Sequence, residues 1–214
     1  MHDDRTNPES RRRFLGTLLA APLALAAPAL LGVAGCGAGG GSPTDPSAQP
    51  TLACADDDDD DLTPAETEGP YFKRSSPERT SLLEAGMAGT RLSLSGLVLT
   101  RGCRPVPGAL LDFWQADDSG AYDNSGFRLR GHQFTDAAGA FRLETVLPGL
   151  YPGRTRHVHV KVQAPGQSVL TTQLYFPGES RNASDGLFHS ELLMELSGSG
   201  SAREGKFNFV LDLP

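Results

Sequence analysis

The sequence predicts an all-β domain: an antiparallel two-sheet β-sandwich with long loops that carry its site. Three observations point there. Runs of alternating apolar and polar residues recur at short spacing through residues 91–213. The chain spends 25 Gly and 16 Pro on turns. It has no long run of helical period after the first thirty or so residues. With 38% hydrophobic and 21% charged residues, a packed core fits only if part of the chain lies outside it. The net charge of −7 speaks against a nucleic-acid binder, which needs a basic surface.

The folded domain is expected over 63–214. Gly69-Pro70 is a turn signal, with Tyr71-Phe72 packing back over the core or lining a pocket. Ser81–Gly89 reads as a short helical turn. Arg91–Thr100 is a clear strand, with Leu92, Leu94 and Leu97–Leu99 apolar. Cys103, Pro105 and Pro107 mark a turn, and Ala109–Gln115 is a second strand that sets Leu111 and Phe113 opposite Asp112 and Trp114. A polar loop carrying Tyr122 follows, then a short strand over Phe127–Arg130. Thr135–Gly139 is a tight turn, Ala140–Val146 a strand, and Pro148-Gly149 a turn. Strands over Ser168–Phe176 and Lys206–Leu213 complete the set. Trp114 and Tyr175 read as structural residues, and His132 and His189 as surface residues.

Residues 1–36 read as an address. Arg11-Arg12-Arg13-Phe14-Leu15 resembles a twin-arginine export signal, and an Ala/Leu-rich stretch follows to Leu31. Val33-Ala34-Gly35-Cys36 resembles a lipobox whose cysteine, Cys36, is lipidated. The expectation is export in folded form to the periplasmic or extracytoplasmic face, held to the membrane by a lipid anchor. A single transmembrane anchor is the alternative for the apolar stretch. Residues 37–62 read as a flexible linker rich in Gly, Ser and Pro, ending in the Asp56–Asp61 run, a solvated stretch with no turn-forming Gly for a calcium loop. With Cys36 lipidated, Cys54 and Cys103 are the pair left for a disulfide, worth about 4 kcal/mol by loop entropy.

The chemistry centres on Leu150–Val162. Side chains of a strand alternate, so His157, His159 and Lys161 share one face while Val158, Val160 and Val162 share the other. Two imidazoles on one face make half a metal site; by itself the pattern more often describes a half-buried strand with its polar face in solvent. Tyr122 and Tyr151 supply the other half. Imidazole plus phenolate suits Fe(3+), whose charge lowers the phenol pKa and whose balance two phenolates and a hydroxide restore. Zinc would prefer Cys, His and carboxylate.

The same residues carry a family resemblance. Residues 63–214 resemble the intradiol ring-cleavage dioxygenases of the protocatechuate 3,4-dioxygenase and catechol 1,2-dioxygenase type. The matching segments are Glu68–Phe72, Val106–Ala109, Phe113–Tyr122, Gln133–Gly139, Pro148–Val162 and Thr172–Phe176. The resemblance implies iron ligation by Tyr122, Tyr151, His157 and His159, with Tyr122 and His157 equatorial, Tyr151 and His159 axial, and Tyr151 labile. It implies a charge-stabilising role for Arg154, a pocket role for Gln173, a catechol-type substrate with O2 as partner, and room for a homo-oligomer. The loop from Tyr151 to His157 is shorter than in those enzymes, and the helical dimerisation segment of the catechol enzymes is missing from the match.

A rival class shares part of the pattern. Val106-Pro-Gly-Ala109, Thr135–Leu143 and Pro148–Tyr151 also resemble noncatalytic transthyretin-like and carboxypeptidase-regulatory-like modules, which bind or space at a surface. Tyr122, Arg154 and the two histidines separate the readings, since a spacer needs none of them.

Overall fold

The computed structural model describes residues 62–214 and contains nine strands. They are β1 (Arg91–Thr100), β2 (Leu110–Trp114), β3 (Arg130–Phe134), β4 (Ala140–Val146), β5 (His157–Gln163), β6 (Leu170–Tyr175), β7 (Glu195–Ser197), β8 (Ala202–Lys206) and β9 (Phe209–Leu211). One sheet has the order β4-β1-β8-β7, with β9 also paired to β1; the other has the order β3-β2-β5-β6. The predicted two-sheet β-sandwich is therefore the fold. Signal peptide, lipobox and linker, with Cys36 and Cys54, lie outside the described residues. Cys103 is disulfide-bonded.

The core lies between the sheets. Val158, Val160 and Val162 of β5 and Leu111 and Phe113 of β2 meet Leu92, Leu94, Phe141 and Leu143 from the other sheet. Phe113 and Phe141 make the contact across the gap, with ring centroids 5.9 Å apart. Such side chains gain about 1.5–3 kcal/mol each from full burial. Beneath the core, the start of the domain is stitched to its end: Thr63 N–H donates to Val210 O at 3.0 Å, and Val210 N–H returns a bond to Thr63 Oγ1 at 2.8 Å.

Several expectations are corrected. The first sheet is mixed, because β1 runs parallel to both β8 and β9. The strand expected over Lys206–Leu213 is split. Phe207 N–H bonds Ser95 O, and the Asn208 side chain accepts from Leu97 N–H, so the chain steps off one part of β1 and onto the next. Phe207 O packs directly on Gly96 at that step, where a Cβ would overlap it. Ser81–Gly89 is not helical: Leu82 is fully buried and donates its N–H to Glu144 O in β4, whose own N–H bonds Thr80 O, while Gly86 and Gly89 take positive φ. Phe127–Arg130 is a turn, closed by Arg130 N–H on Phe127 O, and the strand begins where it ends.

Candidate metal centre

The face of the second sheet that points away from the core carries the site. Strand register places Arg130, Trp114, His159 and Gln173 in one row across β3, β2, β5 and β6. His157 lies opposite Tyr175 in the next row. Alternation put the histidines on this face, but the face is not open to solvent: His157 and His159 are 5% and 3% exposed. Residues 63–80 form the roof. Glu66 N–H bonds Thr171 O, Gln173 Nε2 donates to Thr67 O, and Phe72 packs on Trp114 at 4.8 Å.

The two tyrosine loops enter from one end of the sheet. They touch backbone to backbone through two glycines. Gly149 N–H donates to Asp117 O at 2.6 Å, and a Cβ on Gly149 would overlap the Gly120 nitrogen and Asp118 carbonyl. Gly120, at φ +88, is pressed likewise against Leu150 O. This close approach brings Tyr122 and Tyr151 to ring centroids 5.9 Å apart, edge to face.

Three of the four expected ligands converge. Tyr122 Oη lies 3.3 Å from His157 Nε2, and the two histidine Nε2 atoms are 3.2 Å apart. His157 Nδ1 donates to Thr155 O at 2.7 Å, which assigns its Nε2 as a bare lone pair. Two donors, the Tyr122 hydroxyl and His159 Nε2–H, thus compete for one acceptor. A cation at their centre would instead take a lone pair from all three. Tyr151 Oη bonds not to a histidine but to Tyr71 Oη, at 2.8 Å. Tyr71 also stacks on Tyr122 at 4.4 Å, so it lines the site as well as packing.

Electrostatics agree with this donor set. Burial pushes His157 down to about 4 and His159 well below its ordinary value, so both imidazoles are neutral at pH 7. Burial also raises the Tyr122 phenol, against the pull of Arg154 and Arg130, so it ionises only with a cation beside it. Among the described residues no group of three or more His, Cys, Asp or Glu could hold a metal. Without thiolate or carboxylate, two imidazoles and two phenols fit ferric iron better than zinc.

The shift on His157 sets a pH dependence. The unfolded imidazole takes up a proton near 6.5, whereas the folded one resists until about 4. The stability it contributes is complete above pH 6.5 and is lost as the pH falls toward 4, by roughly 3 kcal/mol for this residue alone. Denaturant titrations of metal-free protein at pH 7 and pH 4.5 are expected to show that fall; equal midpoints would contradict the burial.

Arg154 sits beside the donors. Its Nε donates to Asp185 at 2.8 Å and its Nη2 to Gln173 Oε1 at 2.7 Å, with Tyr175 Oη 3.3 Å from Nη2. Tyr175, expected to be purely structural, thus belongs to the arginine's surroundings; its hydroxyl donates to Leu187 O at 2.6 Å. Trp114 is buried as expected, yet against the site, stacked on His159 at 4.8 Å and 6°. Arg130, 1% exposed, donates to Tyr71 O and Asp123 O, pinning both aromatic segments. Asp185 and Arg130 escaped the sequence reading because neither belongs to a spaced set of reactive residues. The only signal for Asp185 was that a half-buried Arg154 needs a counter-charge. His132 and His189 take no part: His132 bonds Ser76, and His189 pairs with Glu66 at 3.3 Å.

A family model described as dioxygenase matches residues 67–213. Among solved structures, an intradiol ring-cleavage dioxygenase from Tetranychus urticae aligns at 27% identity and TM-score 0.64, over 71% of this chain and 94% of that one. The chain belongs to the intradiol dioxygenase family. The dioxygenase domain of a dioxygenase carbohydrate-binding protein fusion from Streptomyces sp. SirexAA-E is 61% identical, with TM-score 0.70, over 72% of this chain and 99% of that one. Hydroxyquinol 1,2-dioxygenase from Nocardioides simplex is 28% identical over 64% of this chain and 55% of its own length. The chain spans about half the length of the curated relatives it matches first. For an intradiol dioxygenase, the mixed sheet and the roofed outer face are the scaffold that presents the Tyr/His set.

Proposed function

We propose that the protein is a non-haem Fe(3+) dioxygenase that opens catechol-type rings between the two hydroxylated carbons, with O2 as co-substrate and a muconate-type product. The observation that carries this reading is the convergence of Tyr122 Oη, His157 Nε2 and His159 Nε2 on one point. When bound there, ferric iron withdraws electron density from a catecholate and makes its ring reactive toward O2. Tyr122, His157 and His159 hold the ion, and Tyr151 completes the set. Tyr151 is the movable ligand: held as a phenolate by the ion, it would carry the charge needed to take a substrate hydroxyl proton at Oη, and the neutral phenol so formed keeps Tyr71 as a hydrogen-bond partner. Trp114 keeps water from one face of His159. The Arg154 guanidinium stabilises negative charge developing on the ring, and Gln173 holds its Nη2 in place.

A cleft of about 370 Å³ lies on the far side of the Tyr122 loop, lined by Asp117, Ala121, Tyr122, Asp123, Arg128 and Leu129, and of the donor set it touches Tyr122 alone. Export through residues 1–36 with lipidation at Cys36 is part of the same proposal. It would put the enzyme on the periplasmic or extracytoplasmic face. Among the described residues no helix is long and apolar enough to cross a membrane. A noncatalytic binding module would have no use for the buried donor set.

Oxygen uptake against a panel of catechols, with product analysis, tests the reading. Stoichiometric uptake with a ring-opened dicarboxylate is expected, and colourless protein holding stoichiometric zinc would refute it. Arg154→Ala is expected to keep its metal and visible band while losing about 10²–10³-fold in turnover. Unchanged turnover would remove Arg154 from the mechanism.

A further inference from the structure

We propose that Asp185 is a positioning residue that sets the charge-stabilising arginine and the iron-side histidine together. The inference rests on the ring-cleaving reading above and deepens it. Its carboxylate is 3% exposed and accepts three bonds. Oδ2 takes Arg154 Nε and Thr155 N–H, both at 2.8 Å, and Oδ1 takes Leu187 N–H at 3.0 Å. Thr155 in turn offers its carbonyl to His157 Nδ1 at 2.7 Å. Both backbone groups of Thr155 are thereby held, one by the carboxylate and one by the imidazole.

The surrounding loop grips the same segment at other points. Glu179 pairs with Arg156 at 2.7 Å, Arg181 lies 3.4 Å from the carbonyls of Tyr151 and Arg154, and Asn182 accepts from the Thr155 hydroxyl at 2.6 Å. Among these contacts, Asp185 alone reaches both the guanidinium and the residue that orients His157. Burial by itself would raise this carboxyl, yet the Thr155 and Leu187 N–H groups and Arg154 leave it below the ordinary carboxylate range. The charge is therefore kept at working pH. With Nε and Nη2 of Arg154 engaged, Nη1 makes no hydrogen bond to the described residues and is left for a ligand.

The test is a double-mutant cycle on the iron-loaded full-length protein. Asp185→Asn keeps the shape but turns an amide toward a donor. It is expected to retain metal and the tyrosinate band, lose about 10–100-fold in turnover, and weaken anaerobic catechol binding, read from the shift of that band. In the Arg154→Ala background the same substitution is expected to cost clearly less than it does alone, the remainder acting through Thr155 and His157. An additive loss, or full activity of Asp185→Asn, overturns the proposal. Glu179→Ala breaks a loop contact that touches neither Arg154 nor Thr155; if it reproduces the loss, the loop matters only as an anchor and the proposal is again overturned. Where Asp185→Asn does not fold, Asp185→Glu carries the same cycle. A wild type that binds catechol without cleaving it refutes the ring-cleaving reading while the cycle remains readable on binding; no catechol binding at all overturns both.

Discussion

His159→Ala is expected to leave the protein folded, colourless and unable to retain iron through dialysis against a chelator. The imidazole is held on three sides. Trp114 stacks on it, Gln173 lies opposite it in the ladder, and its Nε2 meets His157 Nε2 at 3.2 Å. Removing the ring takes away one of only two nitrogen donors in the set. Loss of an outer partner of a metal ligand costs about 10–100-fold in affinity, and loss of the ligand itself exceeds that. The effect on folding is smaller. His159 Nδ1 is buried without a hydrogen-bond partner, so truncation relieves one unmet polar atom while opening a cavity against Trp114. A net cost of about 1–3 kcal/mol follows. Metal analysis after dialysis, together with the visible spectrum, decides it; a coloured variant with full iron would exclude His159 as a ligand.

Gly149→Ala is expected to damage the site without touching a ligand. The methyl group would have to occupy the space of the Gly120 nitrogen and the Asp118 carbonyl, so the loops carrying Tyr122 and Tyr151 must part. Backbone cannot rotate aside as a side chain can. Overpacking of this kind costs about 1–3 kcal/mol. The displaced tyrosines should also shift the tyrosinate band and lower iron affinity. Gly186→Ala is the control, since nothing lies within 4 Å of its added carbon. Thermal melts and spectra of the two variants should diverge; matching melts would mean the loops tolerate separation.

The alternation of β5 was legible, and with it the division of His157 and His159 from Val158, Val160 and Val162. The burial of those histidines was not. It depends on residues 63–80 crossing the sheet, a contact between segments about 90 positions apart that leaves no periodic trace. Tyr71 illustrates this: beside a Gly-Pro turn it reads as packing or pocket, and its stack on Tyr122 and bond to Tyr151 appear only in the fold. Residues 202–206, Ala-Arg-Glu-Gly-Lys, have no apolar alternation, yet they form β8 by pairing in parallel with Arg91–Ser95 of β1. Parallel pairing of β1 with β8 was hidden for the same reason: it is a property of the partner, not of either segment. Asp185 sits in a polar loop whose composition gives no hint of the arginine it holds.

The pairing of β1 with β8 and β9 has a consequence for folding. Val98, Leu99 and Thr100 find their ladder partners in Phe209, Val210 and Leu211, and Thr63 closes on Val210. That edge of β1 therefore stays open until residues 202–211, more than a hundred positions on, reach it. Unlike strands that pair with their sequence neighbours, β1 completes this edge only through long loop closures, so the first sheet is expected to be the slower of the two to assemble.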